Sequence, residues 1–194
     1  MARGGISSKT KRLATAALLS ALGVVLLELG ALIEVFDMSA AIAASIIILP
    51  VLLEWGGKYP LLIFAVTGTL ALIIIPSNFA AWMYIGFLGY YPIIKLKYEK
   101  LKRPIAAVLK FLTMNAAIAV YALVLWFVTL GGNGSLTDLF TQGFGGGEDS
   151  ISVALGWILL VLVEIIFIVY DFLLTRIIII YNYRWRQKFQ KFLR

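Results

Sequence analysis

Six long runs of apolar residues divide the chain. A helix that crosses a bilayer needs roughly 20 mostly apolar residues. The runs that reach or approach this length are Leu13–Phe36, Ser39–Glu54, Pro60–Pro76, Phe79–Lys95, Pro104–Leu130 and Ser152–Tyr181. The second run is short and contains Pro50, which predicts a kink or a tilt. The pattern predicts an all-α polytopic membrane protein, a six-transmembrane-helix bundle in which residues 1–194 form a single membrane domain.

The amino-acid composition excludes many kinds of enzyme. The hydrophobic share is 62% and the mean hydropathy is +0.97, whereas soluble proteins are about 45–50% apolar. Cysteine and histidine are absent, so disulfides, thiol chemistry, imidazole metal ligands and histidine bases are excluded. Tyr170-Asp171 resembles half of the intramembrane aspartyl protease signature, but its Gly-x-Gly-Asp half does not occur. We therefore predict a protein that is not an enzyme, with no metal site and no cofactor.

The distribution of charge predicts the orientation. With the N-terminus inside, the cytoplasmic segments are Met1–Arg12, Trp55–Tyr59, Leu96–Arg103 and Asn182–Arg194, and the outer ones are Asp37–Met38, Ser77–Asn78 and Gly131–Ile151. Every lysine and arginine then lies inside or near a cytoplasmic helix end, and the outer segments contain none. This is the asymmetry of the positive-inside rule. We predict a multi-pass protein of the cell membrane with both termini in the cytoplasm.

Two polar segments have particular interest. In Asn182–Arg194, aromatic residues recur between cations, which predicts an amphipathic inner tail on anionic membrane lipid and not a nucleic-acid partner. The long outer loop, Gly131–Ile151, is either a lid over an outward-facing pocket or a solvated connector.

Small residues recur one turn apart near the start of the first helix, at Ala14, Ala17 and Ala21. Such a stripe allows a second helix backbone to approach closely. The second helix could belong to another protein or to this same bundle, and the spacing is compatible with both.

The basic N-terminus that runs into Lys11–Val25, followed by five more hydrophobic segments in under 200 residues, resembles the substrate-binding S component of energy-coupling factor transporters. In that family the equivalent alanine stripe docks onto a transmembrane coupling subunit, which is driven by cytoplasmic ATPases. The resemblance implies that Ala17 and Ala21, with Ala14 beside them, contact such a subunit, and that the chain captures a small molecule such as a vitamin or a metal ion.

Two alternatives stay open. A six-helix scaffold of the cell-shape and cell-wall morphogenesis type resembles the chain in fold and transports nothing, and fold alone does not decide function. A self-contained secondary transporter is less favoured, because the chain shows no evident inverted repeat.

Ionisable residues at membrane depth are candidates for function, because a charge costs about 2.5–3.5 kcal/mol there. We expect Asp171 to pair with Lys110 or Arg176. Glu28 and Glu164 have no cation near them in sequence. The predicted substrate-binding residues, which combine these acids with other acids, an amide and aromatics of the outer side, are Glu28, Glu34, Asp37, Asn78, Trp82, Trp157 and Glu164. In the alternative interpretation the carboxyls are protonated and hydrogen-bonded inside the bundle, and the tryptophans anchor the helices at the interface.

Overall fold

The described part of the chain is helical. The computed structural model describes residues 8–56, 58–130 and 150–186, and these contain no strand. The helices are α1 (Ser8–Leu32), α2 (Asp37–Ile46), α3 (Ile48–Trp55), α4 (Lys58–Ile74), α5 (Phe79–Met83), α6 (Tyr91–Tyr98), α7 (Arg103–Leu130) and α8 (Ser150–Ile180). A 3-10 turn, Glu34–Phe36, precedes α2, and π-helical segments at Tyr84–Leu88 and Tyr181–Trp185 follow α5 and α8. The all-α prediction is confirmed for these residues.

Three helical stretches of the described residues are long and apolar enough to cross a membrane. They are Lys9–Leu32, Asp37–Trp55 and Arg103–Val124, and α4 is a shorter apolar helix. These stretches make the chain compatible with membrane insertion. They coincide with the first, second and fifth of the predicted runs.

The second span is broken between α2 and α3 at Ile47. Pro50 has no N–H to donate to the carbonyl of Ile46, so one backbone hydrogen bond of the helix is missing at this point. The interruption therefore lies three residues before Pro50, in the stretch where this proline predicts an irregularity.

The fourth predicted run, Phe79–Lys95, does not form one continuous helix. It divides into α5, the π-helical segment and α6, with a turn at Gly89 and Tyr90. Pro92 cannot donate to the carbonyl of Leu88, which ends the preceding helical segment, and it lies in the first turn of α6, where proline is tolerated. The apolar length that predicted this run as a span does not indicate the interruption, which lies directly before Tyr91 and Pro92.

The chain forms two compact units, one of residues 1–107 and 174–194 and one of residues 108–173. In the first, α1 packs against α2 and α4 through a buried face that contains Ala16, Ser20, Gly23, Leu27 and Gly30. A side chain at Gly30 would collide with the Cβ of Ala40, and one at Gly23 would come within 2.9 Å of Thr67 Cγ2. The small residues therefore set how closely these helices approach.

Contacts at the helix ends fix the directions of the chain in this first unit. At one end, the Asn78 side chain reaches Asp37. At the other, the Arg12 guanidinium lies over the Trp55 ring, 5.6 Å from its centroid. The chain therefore runs from the Arg12 end to the Asp37 end along α1, returns through α2 and α3, and runs back along α4. We call these the basic end and the acidic end.

In the second unit, α7 and α8 are joined by two polar contacts. Lys110 Nζ lies 2.9 Å from Asp171 Oδ2, and Asn115 Nδ2 donates to Glu164 Oε1 at 2.9 Å. The lower number pairs with the higher in each case, so the two helices are antiparallel here. The ion pair expected between Asp171 and a nearby cation is confirmed, with Lys110 as the partner.

Gly30→Ala tests the close approach of α1 and α2. The added methyl would collide with Ala40, and overpacking of this kind typically costs about 1–3 kcal/mol. We expect the melting temperature in detergent, followed by tryptophan fluorescence, to fall by several degrees. Gly86→Ala is the matched control, because a methyl group added there would meet no atom within 4 Å. Equal melting temperatures for the two variants would contradict the packing.

Candidate ligand-binding site

Asp37 and Asn78 meet at the acidic end of the first unit. Asn78 Nδ2 donates to Asp37 Oδ1 at 3.1 Å, and Asn78 Oδ1 accepts the backbone N–H of Ala80 at 2.7 Å. Asn78 is thus the N-cap of α5. Asp37 lies in the first turn of α2, where the helix dipole stabilises a carboxylate. One amide therefore ties together the starts of two helices.

Trp82 is held at the same end. Its Nε1 donates to the Pro76 carbonyl at 2.7 Å, and 40% of the residue is exposed. The hydrogen bond fixes the indole next to the turn that carries Asn78. We call Asp37, Asn78 and Trp82 the polar rim. Three of the predicted binding residues are therefore found together.

Glu28 is not part of the polar rim. Residues two apart in an α-helix point about 160° away from each other, and Gly30 is the residue of α1 that faces Ala40 and Asp37. Glu28 is half-buried on another face of α1 and makes no hydrogen bond or ion pair with residues in the described ranges. The sequence indicated its depth along the helix but not its direction.

The remaining predicted residues lie elsewhere. Trp157 and Glu164 belong to the second unit, where Trp157 is 67% exposed and Glu164 accepts the hydrogen bond from Asn115. Glu34 lies in the 3-10 turn before α2, and its side chain lies outside the described structure. Residues 131–149 of the predicted outer loop and residues 187–194 of the predicted tail also lie outside the described residues.

The three alanines of α1 are exposed, whereas Ala16 and Ser20 between them are buried. Ser20 donates its hydroxyl to the Ala16 carbonyl at 2.9 Å, and its own carbonyl accepts from Thr67 at 3.2 Å. The Ala16 face of α1 therefore packs against the other helices of the first unit. The face of Ala14, Ala17 and Ala21 is left without a covering helix among the described residues.

Several polar contacts were not anticipated from the sequence. Lys95 is fully buried, with its Nζ 2.8 Å from Thr175 Oγ1 and 2.9 Å from Glu99 Oε1. The four-residue spacing of Lys95 and Glu99 could have indicated their ion pair. Nothing in the sequence indicated Thr175, because 80 residues separate it from Lys95. The partner of Glu164, Asn115, was missed for the same reason.

The polar rim can bind a hydrogen-bond donor or a cationic group. Asn78 occupies one oxygen of Asp37, and no other described residue bonds to this carboxylate. The exposed indole beside it offers an aromatic surface that suits a cation or a heterocycle. Within the described ranges, no group of three acidic residues could hold a metal ion.

Comparisons of the chain with protein-family models, with characterised proteins and with solved structures give no match.

Asn78→Ala tests the link between the two helix starts. Loss of an N-cap costs about 1 kcal/mol, and the variant also loses the bond to Asp37. In a protein of this size, each kcal/mol lowers the melting temperature by about 2–4 °C. We expect a fall of at least this size in a thermal melt, and a change near zero for the exposed neighbour, Ser77→Ala. A fall of equal size in both variants would contradict the assigned role of Asn78.

Proposed function

We propose that the chain is a membrane-embedded capture subunit that takes up a small molecule from outside and works with a separate ATP-driven module. The observation that carries the proposal is the exposure of Ala14, Ala17 and Ala21 on α1. A small-residue stripe inside a membrane lowers the barrier to close helix packing. The bundle fills the neighbouring face of α1 with its own helices, so the exposed stripe is available to a partner.

The partner in this proposal is a transmembrane coupling subunit that binds cytoplasmic ATPases. The chain contains no phosphate-binding Gly-x-x-x-x-Gly-Lys motif, so the proposal takes the energy of transport from such a partner. The stripe begins near Arg12 at the basic end, which the positive-inside rule places in the cytoplasm. A coupling subunit bound there would lie at the end nearest its ATPases.

Ligand capture is assigned to the acidic end, where the polar rim lies. Asp37 supplies an acceptor for a donor or cationic group, and Trp82 supplies an aromatic wall. Glu28 in the first unit and Glu164 in the second are proposed as further polar groups for a ligand, each within its own unit. The six-span topology with both termini inside belongs to the same proposal.

One observation favours the alternative, a scaffold that does not transport. Aromatic side chains pack together between α4 and the π-helical segment, and again between that segment and α6. Phe64 lies 5.8 Å from Tyr84 between ring centroids, and Phe87 lies 4.8 Å from Tyr91. An interior filled in this way leaves less room for a ligand. The scaffold would associate with proteins of cell-wall synthesis or of the cytoskeleton.

Replacing an alanine of the stripe by a large side chain tests the proposal. The variants Ala17→Trp and Ala21→Trp should each lose the coupling subunit and its ATPases in affinity purification from mild detergent. Leu22→Trp is the matched control, since Leu22 is also exposed and points about 100° away from Ala21. We expect this control to retain the partners. Reproducible absence of the partners from the unmodified protein would contradict the proposal.

Native mass spectrometry of the same preparations tests capture. We expect a small molecule to be retained by the unmodified protein and lost from Asp37→Asn. Recovery of cell-wall or cytoskeletal proteins without any retained molecule would instead support the scaffold.

A further inference from the structure

Arg12, Trp55, Lys58 and Tyr59 surround the connection from α3 to α4 at the basic end of the first unit. The Arg12 guanidinium lies over the Trp55 ring at 5.6 Å. The Trp55 and Tyr59 rings meet edge to face, with 5.5 Å between their centroids. Lys58 is exposed directly before Tyr59, at the start of α4. We call these four residues the basic turn.

The two cations of the basic turn, Arg12 and Lys58, can still bind an anion. Neither Arg12 nor Lys58 makes an ion pair with a carboxylate in the part of the chain that the structure describes. The acid adjacent to Trp55 is Glu54, which is engaged by Arg186 at 3.2 Å. An arginine stacked on an aromatic ring keeps its N–H donors free for a second ligand. The basic turn therefore holds two cations from distant parts of the sequence, one stacked on Trp55 and one at the start of α4.

The surface beside the basic turn is apolar. Leu13 next to Arg12 is 54% exposed, and Leu61 and Leu62, which follow Tyr59 in α4, are 51% and 41% exposed. Tryptophan and tyrosine are enriched where a membrane protein meets the headgroups. Along α4, a cation, an interfacial ring and exposed leucines thus follow one another. A phospholipid has its phosphate, its glycerol and its acyl chains in the corresponding order.

We infer that the basic turn binds the phosphate of an anionic phospholipid, whose acyl chains lie along the exposed leucines of α1 and α4. Arg12 donates to the phosphate oxygens and Lys58 supplies the second positive charge. The inner leaflet, where the positive-inside rule puts this end, is rich in anionic lipid. The inference rests on the proposed orientation, with the basic end inside. It needs neither ligand capture nor a coupling partner, so loss of those two functions would leave it standing.

The test compares Arg12→Gln/Lys58→Gln with Lys100→Gln/Lys102→Gln, which removes the same charge from exposed positions outside the basic turn. Each protein is reconstituted in zwitterionic lipid alone and in an equimolar mixture with phosphatidylglycerol. Each is then extracted, and the bound phosphatidylglycerol is measured by native mass spectrometry. The first variant loses two cations, each of which contributes about 1 kcal/mol near an anionic membrane, so we expect its retention to be roughly thirtyfold weaker. The control should retain the lipid as the unmodified protein does.

Thermal melts complete the test. Phosphatidylglycerol should raise the melting temperature of the unmodified protein and of the control, and should do so much less for the Arg12→Gln/Lys58→Gln variant. All three should melt together in zwitterionic lipid, which shows that the variant folds. Equal loss of lipid in the control would overturn the inference, because the attraction would then be general. Equal stabilisation by soluble glycerol phosphate would also overturn it, because a lipid would not be required.

Discussion

An unpaired charged side chain is costly in the hydrocarbon of a bilayer, and this cost favours particular positions for the charged residues of the chain. The cost of an unpaired charge is about 2.5–3.5 kcal/mol on insertion scales, comparable with much of a protein's net stability. In the described part of the first unit, Arg12 and Lys58 lie exposed at the basic end. Lys110 is paired with Asp171, and the buried Lys95 contacts Thr175 and Glu99. The half-buried Glu28 is the exception, because no described residue pairs with it.

The same constraint explains the close packing of the first unit. Inside a membrane the hydrophobic effect does not drive helices together, so contact depends on shape and on interhelical hydrogen bonds. Gly23 and Gly30 provide the shape, because a side chain at either position would collide with a neighbouring helix. Thr67 provides one such bond, to the carbonyl of Ser20. The alanines on the other side of α1 have the same chemistry but are exposed, and this contrast supports their role in docking.

The sequence predicted the helical fold and most helix boundaries within a few residues, because apolar runs and prolines act locally. It also predicted that Asp37, Asn78 and Trp82 lie on one side of the bundle, because each lies near an end of an apolar run, and the three are found together at one end of the first unit. It could not separate Glu28 from this group, since an apolar run gives the depth of a residue but leaves its direction around the helix undefined. Contacts between distant helices, such as that of Glu164 with Asn115, depend on packing that no local pattern encodes.

We expect all cationic segments to lie on one side of the membrane, and the proposed docking, capture and lipid sites depend on that arrangement. The chain has no cysteine, so single cysteines can be introduced at exposed positions on each side, as Lys97→Cys and Ser77→Cys. A membrane-impermeant maleimide applied to intact cells should label Ser77→Cys, and should label Lys97→Cys only after the membrane is permeabilised. Labelling of Lys97→Cys from outside would contradict the account, because the basic end would then face away from the cytoplasm.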